Sequence, residues 1–100
     1  MIDPRALRMF LAVCRANSIS GGARLLNISQ PSVSSAIAQL EQAVGAQLFA
    51  RSRTGISLTA EGEMLLRRAE TVDSVLREAE EEMRLARQGV TGPLRVGGTP

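Results

Sequence analysis

Residues 65–86 carry an apolar repeat that constrains the fold of this chain more than any other feature. Apolar side chains recur there at alternating steps of four and three positions, the heptad spacing of a helix that packs along another helix. The repeating residues are Leu65, Ala69, Val72, Leu76, Ala79, Met83 and Ala86. A helix capped by Thr59 and running on to about Gln88 would be roughly 43 Å long at ~1.5 Å per residue. That is too long to be buried within one small domain, so the helix needs a partner.

Two partners fit this repeat: a second copy of the chain, or another domain against which the helix packs. The small side chains of Ala69, Ala79 and Ala86 allow two helices to approach closely and favour self-pairing. We therefore predict that the seven repeating residues form the interface of a homodimer.

Two shorter helices are predicted near the N-terminus. Asp3 can cap the first of them, which is expected to end near Asn17. Its apolar stripe, expected to be buried, consists of Leu7, Phe10, Leu11 and Cys14. The second helix is short and runs to Leu26 from a cap at Ser18 or Ser20. We expect Cys14 to be an inert core thiol rather than a redox sensor.

A third helix is predicted from a cap at Ser29 to Gly45, which can end it in a left-handed conformation. Its apolar face consists of Val33, Ile37, Leu40 and Val44. The second and third helices are joined by a short turn, and polar residues crowd the start of the third. This arrangement predicts a helix-turn-helix.

The apolar period then changes from that of a helix to that of a strand. Leu48–Arg51 and Ile56–Leu58 are predicted as two short strands, joined by a turn at residues 52–55. A two-stranded hairpin is not stable alone, so it must pack on the helices as a wing. The predicted fold is mainly α: a winged helix-turn-helix over residues 1–58, followed by a long dimerisation helix over residues 59–89. Residues 90–100 are expected to be a hinge and the start of a further domain, as in the front part of a longer protein.

The charge is distributed unevenly, and every cation is an arginine. Residues 1–58 contain six arginines and two acidic residues, a net charge of +4, whereas residues 59–100 contain six arginines and eight acidic residues, a net charge of −2. Arginine binds phosphate and guanine edges through a fixed fork. The basic front part indicates an anionic partner, although a solvated basic surface would also account for it.

The chain lacks the residue types on which several other classes of function depend. The chain has no histidine and one cysteine, so we expect no metal site, no cofactor and no enzymatic activity. Aromatic residues are 2% of the chain, too few for stacking on single-stranded nucleic acid. No apolar run is long enough for a membrane span, and the single cysteine fits a reducing, cytoplasmic compartment.

Residues 18–62 carry a set of residues whose spacing resembles that of LysR-type transcriptional regulators. The matching residues are Ser18, Ala23, Leu26, Ser29, Gln30, Pro31, Ser34, Ile37, Leu40, Glu41, Gly45, Leu48, Phe49, Arg51, Leu58, Thr59 and Gly62. The resemblance extends from residue 1 to about residue 90. It implies a regulator that binds double-stranded DNA at interrupted palindromes, as a dimer or, at full length, a tetramer. It also implies antiparallel pairing of the long helices, and a small-molecule effector bound only by a C-terminal domain.

The resemblance also implies which residues touch DNA. Bases would be read by Gln30, Pro31, Ser34 and Ser35 at the start of the third helix, and Arg51 and Arg53 of the wing would reach the backbone or the minor groove. The chain departs from the family pattern at Ser35, where arginine or glutamine is common. It departs again at Gly21 and Gly22, where a polar or cationic residue and an alanine are common, and at Thr54, where arginine is common.

The chemistry of these residues supports the same roles, with a simpler alternative for each. Gln30 can bond the edge of an adenine bidentately, or only end a solvated helix. Pro31 can touch a thymine methyl or simply start the helix. Close approach to DNA is allowed by the short side chains of Ser32, Ser34 and Ser35, which could otherwise be exposed residues with no specific role. The remaining candidates are Ser29, which caps the helix and can attract a phosphate, and Arg24, Arg51 and Arg53, which contact phosphates or are merely solvated.

One function of a different class remains open at this point. The chain could be a helical protein-interaction module that dimerises through the long helix without binding DNA. The serine-rich start of the third helix beside a basic wing favours DNA binding over this alternative.

Overall fold

The computed structural model describes residues 1–53 and 55–89. The elements in chain order are α1 (Pro4–Ala16), α2 (Ile19–Leu26), α3 (Gln30–Val44), β1 (Phe49–Ser52), β2 (Gly55–Leu58) and α4 (Ala60–Arg87). This order confirms the predicted winged helix-turn-helix followed by a long helix. Thr54 and the predicted hinge and domain start at residues 90–100 lie outside the described residues. None of the helices in the described part is long and apolar enough to cross a membrane.

Side-chain caps begin the first three helices at the predicted residues. The bonds run from the Arg5 N–H to Asp3 Oδ1 (2.9 Å), from the Gly21 N–H to Ser18 Oγ (2.9 Å) and from the Ser32 N–H to Ser29 Oγ (3.3 Å). Each bond satisfies a backbone donor that the helix itself leaves unpaired. Of the two candidate caps for α2, Ser18 is therefore the one used.

The same three helices end in the left-handed region of backbone space. Asn17, Asn27 and Gly45 follow α1, α2 and α3 with φ angles of 59°, 58° and 75°. Asparagine and glycine tolerate this region better than other residues. Asn27, Ile28 and Ser29 are therefore a tight turn between α2 and α3, the turn of the helix-turn-helix.

The hydrophobic core lies where α1, α2 and α3 meet. Its largest fully buried side chains are Phe10, Val13, Val33, Leu40 and Leu48. The ring of Phe10 also packs on that of Phe49 in the wing, with 5.3 Å between centroids, which is within the range of favourable aromatic pairs. The core thus joins the three helices and the wing.

Burial on α1 is wider than the predicted apolar stripe. Phe10 and Leu11 are buried as expected, but Leu7 and Cys14 are only half-buried. The other buried residues of the helix are Ala6, Ala12 and Val13. Because α1 packs against both α2 and α3, more than one face of it is covered.

Gly21 and Gly22 allow α2 to approach the preceding helix closely, and both are buried. A Cβ atom added to Gly22 would lie 2.8 Å from Val13 Cγ2, and one added to Gly21 would lie 2.7 Å from Ala16 Cβ. These distances leave no room for a side chain. The two glycines are therefore packing residues, which offsets their low helix propensity.

The wing is an antiparallel hairpin in which Phe49 pairs with Leu58 and Ser52 with Gly55. Leu48 precedes β1 and belongs to the core rather than to the predicted strand. Its backbone N–H donates to Glu41 Oε2 of α3 at 2.8 Å, and its carbonyl accepts from the Thr59 N–H at 3.0 Å. These bonds fix both ends of the hairpin to the neighbouring helices.

Two compact units make up the chain. The first is Met1–Glu70, and the second begins at Thr71. The first extends beyond the predicted boundary at residue 58 because the beginning of α4 packs into its core. Ala69 is fully buried there, and Leu65 and Leu66 pack against the same cluster.

Gly62 explains how α4 begins so close to the wing. Thr59 caps this helix as predicted, because its Oγ1 accepts from the Gly62 N–H at 3.0 Å while its hydroxyl donates to the Gln47 carbonyl at 2.6 Å. A Cβ atom on Gly62 would lie 2.1 Å from the carbonyl oxygen of Leu48. Only glycine allows this approach of two backbones.

Candidate nucleic-acid interface

Helix α3 has one buried face and one exposed face. Val33, Ile37 and Leu40 are buried, whereas the opposite side presents small and polar side chains to solvent. The exposed residues on that side are Pro31, Ser34, Ser35, Ala38, Gln39 and Gln42. Because most of them are short, another surface can approach the backbone of α3 closely.

The beginning of α3 combines a capped helix end with an exposed amide. The hydroxyl oxygens of Ser29 and Ser32 lie 2.7 Å apart and share a hydrogen bond, in addition to the cap at Ser29. The side chain of Gln30 is exposed and bonds to no other residue in the part of the chain that the structure describes. Its donor and acceptor groups are therefore available to a ligand.

A first cleft, the wing cleft, separates α3 from the hairpin. Its polar lining includes Ser34, Glu41, Gln47 and Arg51, and its apolar lining includes Ala38. The structure thus brings together Ser34 and Arg51, two of the predicted DNA-binding residues.

A second cleft, the α1 groove, lies between α3 and the start of α1. Asp3, Arg5 and Met9 line it from the α1 side, and Ser35 and Gln39 line it from α3. Pro31 and Ser32 also border this groove.

Each cleft contains one arginine and one carboxylate, and the carboxylate is already engaged by a backbone donor. Asp3 Oδ1 accepts from the Arg5 N–H at 2.9 Å, and Glu41 Oε2 accepts from the Leu48 N–H at 2.8 Å. Among the described residues, neither Arg5 nor Arg51 forms an ion pair. Both guanidinium groups therefore remain available to an external anion.

The other predicted cations are exposed but line neither cleft. Arg24 lies on α2, and Arg53 follows β1 at the tip of the wing. Both are therefore accessible from solvent without lining either cleft.

Four residues of this surface were not predicted from the sequence. Ala38 and Gln42 follow Pro31 and Ser35 at helical spacing, so the periodicity of α3 would have identified them. Gln39 lies beside them on the helix. Arg5 gave no such signal, because only the packing of α1 on α3 brings it to this surface.

The second unit exposes most of the predicted dimer seam. Val72, Leu76 and Met83 are 44%, 46% and 63% exposed, and Val75, which was not predicted, is 57% exposed. Ala79 and Ala86 are exposed on the same helix. Ala69 is different: it is buried in the core of its own protomer, which corrects its assignment to the seam, and Leu65 is half-buried against that core.

Charged side chains surround this seam and pair along the helix. Arg77 bonds to Asp73 at 2.6 Å and Arg84 bonds to Glu81, at i,i+4 and i,i+3 spacing. The hydrogen bond from Arg84 lowers the pKa of Glu81. Such exposed pairs contribute little to stability, so they mark the solvated side of α4.

Cys14 has the properties expected of a packing thiol. Burial, followed by the negative charge of Glu70, raises its pKa from 9.0 to about 11, while Arg15 has a weaker opposing effect. The thiol is therefore protonated at neutral pH and a poor nucleophile. The described residues contain no cluster of potential metal ligands around it or elsewhere.

The same sequence pattern is found in a known protein family. A family model described as a bacterial regulatory helix-turn-helix protein of the lysR family matches residues 4–63. This chain belongs to the lysR family. The match covers α1, the helix-turn-helix, the wing and the start of α4, and it confirms the resemblance found in the sequence.

Relatives within the lysR family are transcriptional regulators. The HTH-type transcriptional regulator YofA of Bacillus subtilis strain 168 is 43% identical over 91 residues, which cover 91% of this chain and 32% of YofA. This chain spans about a third of the length of the curated relatives that it matches.

Solved structures of lysR-family proteins share this fold in the presence of DNA. The CbnR DNA-binding domain in complex with DNA has a TM-score of 0.75 and 32% identity, covering 85% of this chain and 98% of that one. The BenM DNA-binding domain in complex with catB site 1 DNA has a TM-score of 0.79 and 30% identity, covering 87% of this chain and 94% of that one.

Proposed function

We propose that this lysR-family chain is the DNA-binding part of a dimeric transcription regulator. It binds double-stranded DNA by sequence, with α3 in the major groove and the wing on the backbone or in the minor groove. It acts on chromosomal DNA in the bacterial cytoplasm, and it is a binding protein rather than an enzyme. Any small-molecule effector site or tetramer contact would lie outside this DNA-binding part.

The observation that carries this proposal is the exposed face of α3. The major groove admits an α-helix, and short outer side chains let the backbone of that helix approach the bases. The face formed by Pro31, Ser34, Ser35 and Ala38 meets this requirement. Gln30 lies at the N-terminal end of the helix, where helix-turn-helix proteins contact base edges.

Base reading requires a group that can distinguish base pairs, and Gln30 supplies it. Its amide can donate to N7 and accept from N6 of the same adenine, a pairing worth about 1–3 kcal/mol of discrimination. Ser34 and Ser35 can add single hydrogen bonds, and Pro31 and Ala38 can contact thymine methyl groups.

Phosphate contacts would supply most of the affinity. Arg51 and Arg53 extend from the wing, Arg24 lies on α2, and the capped N-terminus at Ser29 can face a phosphate oxygen. Each phosphate that the protein neutralises steepens the dependence of log affinity on log salt by about 0.9. Affinity should therefore fall steeply as salt is added.

Dimerisation would hold the α3 helices of two protomers at a fixed spacing. The apolar seam of Val72, Val75, Leu76 and Met83 is exposed, and burying it against a second copy removes that surface from water. Two linked half-sites are then read together, which raises the apparent affinity for a palindrome.

The first test is selection of the purified chain against a pool of random duplex DNA, followed by sequencing of the retained DNA. We expect an interrupted palindrome and binding that weakens steeply with salt. No enrichment, together with the absence of any salt-dependent binding to duplex DNA, would instead support a helical interaction module without a DNA site.

The same selection with Gln30→Ala tests which group reads bases. We expect the preference to relax by about 1–3 kcal/mol at one position of each half-site. Gln88→Ala, which removes an exposed glutamine just beyond α4, serves as the control and should leave the selected sequence unchanged. An equal loss of affinity for all sequences would identify Gln30 as a phosphate contact.

A further inference from the structure

The two clefts beside α3 are each lined by one arginine, although different parts of the chain form them. Arg51 of β1 borders the wing cleft and Arg5 of α1 borders the α1 groove. Helix α3 lies between the two, with Ser34 on one side and Ser35 on the other. Within the described residues, α3 thus has an arginine without an ion pair on each side.

Arg5 is held beside α3 by its own backbone. Its N–H donates to Asp3 Oδ1, the N-cap of α1, so the residue lies in the first ordered turn of that helix. Ala6, the next residue, is 2% exposed in the core, which anchors this turn against α3. The position of the Arg5 backbone is therefore fixed by packing, while its side chain is exposed.

The α1 groove remains open because Ser35 is short. A serine at this position leaves space between Arg5 and Gln39. The guanidinium can therefore extend along the groove toward whatever α3 contacts.

We propose that Arg5 contacts a DNA phosphate on the side of the major groove opposite the wing. This inference rests on the proposed function, since it assumes that α3 enters the major groove. The major groove is about 12 Å wide and bounded by a phosphate backbone on each side. A helix centred in it with the wing at one wall brings the start of α1 to the other wall. Arg5 and Arg51 then clamp the two backbones and set the position of α3 between them.

The nearby carboxylate argues for a phosphate of the backbone rather than a small free anion. Asp3 lies in the same groove and repels any anion that would bind there alone. A duplex overcomes this repulsion because its other contacts are made at the same time. Asp3→Asn should therefore strengthen duplex binding, since asparagine also caps helices but carries no charge.

The experiment measures binding of a short mixed-sequence duplex over a range of salt concentrations. A mixed sequence reports phosphate contacts alone, because these contacts do not depend on the bases. The variants are Arg5→Ala, Arg5→Lys and the control Arg8→Ala, which removes an exposed arginine from the same helix that lines neither cleft. Circular dichroism confirms that each variant is folded.

For Arg5→Ala we expect the slope of log affinity against log salt to fall by about 0.9 per protomer. Arg5→Lys should keep most of the slope because it keeps the charge, and Arg8→Ala should leave it unchanged. An unchanged slope in Arg5→Ala, or an equal fall in Arg8→Ala, overturns the proposal. If the wild-type chain binds no duplex, the proposed function itself fails.

Discussion

The two units of this chain have similar apolar sequence patterns, but the apolar side chains are buried in the first unit and exposed in the second. In Met1–Glu70, the large apolar side chains Phe10, Val13 and Leu40 are each less than 2% exposed. From Thr71 to Gly89, Val72, Leu76 and Met83 recur at regular helical spacing and are about half exposed. Helical periodicity therefore identifies which residues share a face, but it does not identify what covers that face.

Helix α4 makes this difference visible within a single element. Its early residues Gly62 and Ala69 are buried in the first unit, and its later residues Val72 and Leu76 are exposed. The heptad pattern runs through both parts without interruption. The first part is stabilised within the protomer, whereas the second gains its full stabilisation only when another apolar surface covers it.

The largest effect is expected in the core of the first unit. Phe10→Ala removes a fully buried ring and its contact with Phe49, and it should lower the free energy of unfolding by about 3–5 kcal/mol. Leu25→Ala truncates an apolar residue that is 60% exposed and should change it by less than about 0.5 kcal/mol. Urea denaturation measures both. Similar losses in the two variants would mean that burial does not distinguish these positions.

A change in the second unit should affect association rather than folding. Leu76→Glu puts a charge into the proposed dimer seam and should weaken the dimer by about 3 kcal/mol, roughly a hundred-fold in the dissociation constant. Light scattering should then report a monomer. Ser74→Glu adds the same charge to another face of the same helix and should leave the dimer intact. If Leu76→Glu and Ser74→Glu have the same effect on the dissociation constant of the dimer, residues 72–86 do not form the dimer interface.

The smallest of the three effects tests whether the start of α4 belongs to the first unit. Gly62→Ala forces a Cβ atom against the Leu48 carbonyl, and it should cost about 2 kcal/mol of unfolding free energy after the gain in helix propensity. Glu61→Ala, at the exposed neighbouring position, should have little effect. A Gly62→Ala protein as stable as the wild type would show that α4 can move away from the hairpin at little cost.

Much of the fold could be predicted because helix ends depend on neighbours in the sequence. Asp3, Ser29 and Gly45 are two to four residues from the groups that they bond, so their roles follow from local chemistry. The strand pair followed from a change of period. The bond from the Leu48 N–H to Glu41, which joins the wing to α3, could not be predicted, because a glutamate on a helix has many potential partners.

The candidate interface was predicted in part, because some of its residues are close together in the sequence. Gln30, Ser34 and Ser35 lie on one short helix whose buried face is evident, so their exposure follows from the sequence. Arg5 is remote from them in the sequence and reaches α3 only through the packing of Ala6 and Phe10 in the core. A contact of this kind depends on the crossing of two helices, which no local pattern specifies.

The sequence by itself determined the order of the elements, their ends and the residues that share each helix face, because caps, turns and periodicity act over a few residues. Tertiary structure alone decided that Ala69 lies in the core while Val72 remains on the surface. It also decided that Gly22 and Gly62 serve close backbone contacts, and that Arg5 joins the surface of α3. These outcomes depend on which faces meet, and helices meet through the packing of residues far apart in the chain.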